Sequence, residues 1–180
     1  MVSSTAPRGV PPDRVRVVVD RPPRPGGDFV LYWMIAQRRL GWNFALDRAI
    51  AWAEELGKPL VVYEGLRIDY PWASRRLHRF VLEGMAENAR RAAGKRLLYF
   101  PYVEPAAGAG KGLLRALSQR ACLIVTDDFP CFFLPRMVEA AARQVECRLE
   151  AVDGNGLFPL SATDAASPTA YAFRRLLQKK

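Results

Sequence analysis

The sequence predicts an α/β fold: a Rossmann-like, doubly wound, five-stranded parallel sheet in the order 3-2-1-4-5. Two observations carry that prediction. Short, continuous apolar runs, the pattern of strands buried on both faces, alternate with longer segments of helical periodicity. They alternate at a spacing that βαβ units require, and right-handed crossovers then put helices on both faces of one parallel sheet.

The elements follow in order. Phe29 to Met34 (FVLYWM) reads as the first buried strand. A polar loop leads to a helix beginning near Asn43, a good N-cap, with Leu46, Ile50, Ala53 and Leu56 at helical spacing and Gly57-Lys58-Pro59 as its stop. Leu60 to Tyr63 is the second strand, and a helix from about Ser74 to Ala93 follows. Leu77, Phe80, Val81, Gly84, Met85, Asn88, Ala89 and Ala92 are expected on its inner face, with the arginines outside. Arg96 to Phe100 forms the third strand, Leu113 to Leu117 belongs to a short helix, and Cys122 to Thr126 is the fourth strand. Met137, Val138, Ala141, Ala142 and Val145 mark a fourth helix, and Cys147 to Val152 a fifth strand.

Half of the 180 residues are hydrophobic and a quarter are charged, an ordinary globular mix. The low-complexity stretch is the Pro/Gly/Arg-rich opening from Pro7 to Gly27. No apolar run reaches the ~18 residues of a membrane helix, and the N-terminus lacks a signal peptide's compact apolar core, so the cytoplasm is the expected compartment. Cys122, Cys131 and Cys147 are odd in number and form no C-x-x-C pair, which suits reduced, buried thiols better than zinc or redox chemistry. The net charge is +9, from 27 Lys and Arg against 18 Asp and Glu. Such an excess attracts polyanions, though a basic protein without a polyanion partner has the same composition. Arg75, Arg76, Arg79, Arg90, Arg91, Lys95 and Arg96 lie along one segment, and Arg174, Arg175, Lys179 and Lys180 end the chain.

Several chemistries are excluded. Gly108 to Gly112 (GAGKG) is not a Walker A loop, because Pro105 stands where the first Gly belongs and Gly112 where Ser or Thr belongs. No G-x-G-x-x-G follows the first strand. His78 is the sole histidine, which removes triads and metal constellations that need a second imidazole. What remains is the crevice at the switch point, outside the C-terminal ends of strands one and four. Trp33, Met34 and the loop to Asn43 line one side, and Thr126, Asp127, Asp128 and Phe129 the other. The two adjacent acids suit either acid/base work or a helix cap.

The run Val30-Leu31-Tyr32-Trp33-Met34, followed by Asn43 and Ala45-Leu46, resembles the opening of the photolyase/cryptochrome α/β domain. It is most similar to the class II cyclobutane-pyrimidine-dimer photolyases, where Tyr-Trp-Met leads through a Gln-Arg pair to Asp-Asn-x-Ala-Leu. Arg39 and Asn43 fall on the family Arg and Asn, while Arg38 replaces the Gln and Trp42 the Asp. Further similarities are Arg14-Val15-Arg16-Val17 with Pro22-Pro23 and Gly27-Asp28, Leu56-Gly57-Lys58-Pro59-Leu60, and Tyr70-Pro71-x-Ala73 through Phe80-x-Leu82-Glu83-Gly84. With Tyr171-Ala172 and Arg174, the resemblance spans about residues 14 to 177. The loop from Asp127 to Pro135 is more apolar than the family pattern.

The resemblance implies three parts: a basic N-terminal segment (1–27), an antenna-type α/β domain (28–160), and the start of a linker (161–180) to a C-terminal helical domain outside this sequence. It implies light-driven repair of DNA containing pyrimidine dimers, a carbon–carbon lyase activity, with FAD held in the helical domain and this chain inactive alone. It also implies an antenna pigment, a deazaflavin or a folate, in the crevice. Trp33, Met34, Arg38, Arg39, Asp127, Asp128 and Phe129 are then the candidate pigment contacts, with no catalytic residue and no metal in the chain. A monomer is expected, with no membrane partner. The same domain serves a cryptochrome-like photosensor. A stand-alone nucleotide-binding domain of the universal-stress or electron-transfer-flavoprotein type normally shows a Gly-rich loop late in the chain, and Asp153-Gly154-Asn155-Gly156 is too short for one.

Overall fold

The computed structural model describes residues 9–163 and 165–179; Pro7 in the low-complexity opening and Lys180 in the basic end lie outside them. Among the described residues, six strands form one sheet: β1 (Val15–Val19), β2 (Phe29–Met34), β3 (Leu60–Leu66), β4 (Leu97–Val103), β5 (Ala121–Asp128) and β6 (Arg148–Asp153). Their order is β1-β6-β5-β2-β3-β4. The five strands from β6 to β4 are parallel and keep the order expected from the sequence.

The sixth strand corrects the expected count. β1 pairs antiparallel with β6, Val15 opposite Val152, in the stretch read as a low-complexity opening. Its burial is only partial, so the run VRVVV carries neither a clean alternation nor a closed apolar block. The chain then crosses the amino end of the sheet to reach β2. Gly27 lies so close to β5 there that a Cβ would sit 2.5 Å from the Cys122 amide nitrogen, which requires glycine.

Five α-helices accompany the sheet: α1 (Phe44–Leu56), α2 (Arg75–Ala92), α3 (Leu113–Arg120), α4 (Leu134–Ala142) and α5 (Ala170–Lys179). Asn43 caps α1 by accepting the Leu46 N–H, and Gly57 ends it in the left-handed conformation (φ 62°). Successive β2 side chains alternate between two cores. Val30, Tyr32 and Met34 meet α1 through Ala45, Leu46, Ala49 and Trp52. Leu31 and Trp33 join Ile124, Leu149 and the α4 residues Val138 and Ala141 on the other face.

The inner face of α2 is narrower than its periodicity suggests. Only Met85, Asn88 and Ala92 are buried, whereas Leu77 and Phe80 are exposed. β4 is an edge strand, so α2 has little sheet beneath it to cover. α5, in the segment expected to begin a linker, buries none of its residues, though Phe173 makes an edge-on contact with Phe158. Among the described residues, no helix is long and apolar enough to cross a membrane.

Candidate functional site

The switch point falls between β2 and β5, whose neighbours diverge to either side of it. Its floor is built by Asp127, at the end of β5 and 1% exposed. One carboxylate oxygen, Oδ2, accepts the backbone N–H groups of Ile35 (2.9 Å), Ala36 (2.7 Å) and Gln37 (3.0 Å) from the loop after β2. The other accepts the Tyr32 hydroxyl at 2.7 Å. The Asn43 amide donates in turn to the Tyr32 oxygen and to the carbonyls of Gln37 and Arg39, while its own oxygen caps α1. One carboxylate and one amide thus fix the whole loop from Ile35 to Asn43. Burial first, then the neighbouring Asp127 charge, pushes the Tyr32 phenol well above its ordinary range, so it stays protonated as a donor.

The seven residues expected at the crevice take distinct places. Met34 is fully buried in the α1-side core and Trp33 is buried on the opposite face. Arg38 reaches away toward β3, donating to Glu64 Oε1 at 3.0 Å and to the Gly65 carbonyl at 2.9 Å. Arg39 is exposed and holds the Trp42 carbonyl. Asp127 is engaged as described. Asp128 forks to Arg16 of β1 at 2.8 and 2.9 Å, and Phe129 is half-buried. The structure therefore brings Asp127 together with the β2 loop, and it engages Arg38 with β3 and Asp128 with β1, two strands away.

Other residues emerge that sequence reasoning had not placed at the site. Glu64 is buried at the end of β3 and accepts from Arg38, from Asn88 of α2 at 3.0 Å, and from the Tyr99 hydroxyl of β4. A charged residue inside the apolar run LVVYEGL was the available signal. Burial first, then this hydrogen bond to Glu64, raises the Tyr99 phenol far above its usual range. At the rim stand two aromatic residues with left-handed backbone: Trp42 (φ 51°) after β2, and Phe132 (φ 60°) after β5. Trp42 is 97% exposed and Phe132 81%. The left-handed region is costly for side-chain-bearing residues, and strained exposed aromatics collect at binding sites rather than in scaffolds.

The buried acids are saturated with hydrogen bonds, and among the described residues no three His, Cys, Asp or Glu gather to hold a metal. The loops after β2 and β5 carry Trp42, Phe129 and Phe132, with the exposed Arg39 bonded to the Trp42 carbonyl. The GAGKG loop is also structural: the buried Glu104 carboxylate accepts the Gly110 N–H at 3.1 Å and the Ile68 N–H at 3.2 Å, a charge that disfavours phosphate.

No family model matches the chain. It is 31% identical over 170 residues to a deoxyribodipyrimidine photo-lyase of Methanothermobacter thermautotrophicus, covering 93% of this chain and 37% of the relative. It is 34% identical over 122 residues to a deoxyribodipyrimidine photo-lyase of Oryza sativa subsp. japonica, covering 65% of this chain and 23% of that relative. The chain thus spans about a third or less of the length of these relatives. Sequence similarity and sheet topology together are consistent with a divergent photolyase N-terminal domain.

Proposed function

We propose that this chain is the N-terminal, pigment-bearing domain of a light-driven DNA repair enzyme acting on pyrimidine dimers. The observation that carries the reading is similarity to a photolyase over nearly the whole chain, with the strand residue Tyr32 and the helix cap Asn43 in mutual contact. In this reading FAD belongs to a C-terminal helical domain and supplies the light-driven electron that opens the dimer. The residues of this chain contribute no catalytic group. Asp127, Tyr32 and Asn43 hold the loop after β2 rigid, while Trp42, Phe132, Phe129 and Arg39 receive a deazaflavin or a folate. Rigid donors and walls lower the ordering cost of such binding. Trp33 supports that wall from the core, and Arg38 fixes the loop against β3.

Two measurements test this. Titration of the chain with a 5-deazaflavin or a reduced folate should quench tryptophan fluorescence, and Trp42→Ala should weaken that binding at least tenfold. The chain joined to a flavin-bearing helical domain of the family should remove dimers from UV-irradiated DNA in light and not in darkness, whereas the chain alone should not. A joined protein that binds flavin yet repairs nothing in light would reject the repair reading in favour of a photosensor.

A further inference from the structure

The outward face of α2 carries two features that do not help the isolated fold. Arg75 and Arg76 occupy its first turn, where no acid accompanies them. Cations at that end oppose the helix dipole, which favours negative charge there. Neither guanidinium has an ion-pair partner among the described residues, whereas Arg79, Arg90 and Arg91 pair with Glu83 or Glu87. Phe80 follows one turn beyond Arg76 on the same face and is 76% exposed. Trp72, just before the helix, is 63% exposed.

The charge is concentrated here. Residues 75–96 hold seven Lys and Arg against two Glu, so five of the nine net positive charges lie in this one segment. From Arg76 to Arg91 the helix runs about 22 Å; Glu83 and Glu87 pair with the arginines between, so the cations without an ion-pair partner among the described residues are Arg75 and Arg76 at its start and Lys95 and Arg96 past its end. Arginines flanking exposed aromatic rings are the combination that grips a single nucleic-acid strand: phosphates meet the cations, and a base stacks on the ring.

We infer that the outward face of α2 is a binding track for single-stranded DNA, with Arg75 and Arg76 on phosphates and Phe80 under a base. The choice of DNA as polyanion rests on the reading of the chain as part of a DNA repair protein; the surface itself rests on α2.

The test uses the 180-residue chain with a fluorescein-labelled 20-mer oligonucleotide, the matching duplex, heparin, and phosphatidylserine vesicles. The single strand should bind more tightly than the duplex and weaken about tenfold or more between 50 and 200 mM salt. The double substitution Arg75→Glu with Arg76→Glu should cost at least tenfold and flatten the salt dependence. Phe80→Ala should cost about fivefold for the single strand and nothing for heparin. Reversal of Arg174 and Arg175 on α5 should leave the affinity unchanged. All these side chains are exposed, so circular dichroism should stay that of the parent. Equal affinity in the Arg75/Arg76 variant, an equal Phe80→Ala loss with heparin, tighter binding to vesicles, or no binding by the parent chain would overturn the inference. These readouts need no light. Loss of repair with strand binding intact would sink the function proposed above, and the converse would sink this track.

Discussion

The Tyr32 hydroxyl donates to Asp127 at 2.7 Å from one strand to its neighbour, and the same oxygen accepts the Asn43 amide at 2.9 Å. A phenol that donates and accepts at once polarises both bonds, and burial keeps water from competing. The contact sits between the two parallel strands at which the strand order reverses, so it couples the loops that follow them.

Asp127→Ala should therefore be among the most damaging single changes. It leaves three backbone N–H groups and the Tyr32 hydroxyl without their acceptor, a loss of about 3 kcal/mol or more. Urea denaturation should show a lower midpoint at an unchanged slope.

Asn43→Asp should be worse than its modest shape change suggests. The cap to Leu46 survives, but an acceptor-only carboxylate would then face the Gln37 and Arg39 carbonyls. A loss of about 2 kcal/mol is expected, read as a Tm drop of about 4–8 °C. Asn43→Ala should lose about as much through the missing cap and the freed loop.

Arg38 and Glu64 should prove strongly coupled. Arg38→Ala strands a buried carboxylate and should cost about 3 kcal/mol, while the pair Arg38→Gln with Glu64→Gln should cost less than the sum of its parts. A double-mutant cycle by chemical denaturation measures that coupling, and a cycle that adds would refute the charge-compensating role of Arg38.

Acid titration should single out Glu150. Burial alone would raise its pKa, but hydrogen bonds from Arg48, Trp52 and Arg148 outweigh burial and hold it below the usual carboxylate range. A lowered folded-state pKa gives stability that is complete above the unfolded value, near 4.5, and lost as pH falls below it. Glu150→Gln should be less stable at pH 7 and show a flatter stability profile below pH 4.5. At the other extreme, burial holds Tyr63 up at about 12, so its contribution is present below pH 10 and disappears as pH rises toward 12.

Phe132→Gly should separate stability from binding. Glycine relieves the left-handed strain, so stability should stay level or rise by about 1 kcal/mol, while affinity for a planar pigment falls. Calorimetry and fluorescence titration on the same sample decide it.

Much of the fold was legible because β2, β3 and β5 are buried on both faces, and a closed apolar run such as FVLYWM admits few alternatives. β1 was not legible because an edge strand with one partner needs no such pattern. At the site, Asn43 announced itself as a cap, but its other three bonds depend on how the loop folds back, which spacing does not encode. Residue type marked Arg38 and Asp128 as crevice anchors, yet their partners, Glu64 and Arg16, come from strands on either side. Phe80 illustrates the opposite error. Periodicity assigns it inward, but the sheet ends before it can cover that flank of the helix.

The antiparallel pairing of β1 with β6 joins the earliest strand of the chain to the last one. Arg14 reinforces the join through the carbonyls of Asp153, Gly156 and Leu157. During synthesis, β1 must therefore wait for more than 120 further residues before its partner exists. The sheet can grow outward from β2 in the meantime, and β1 docks as the closing step. Its removal would make the largely buried β6 the edge of the sheet in place of the partly exposed β1, and a more apolar open edge pairs more readily with other chains.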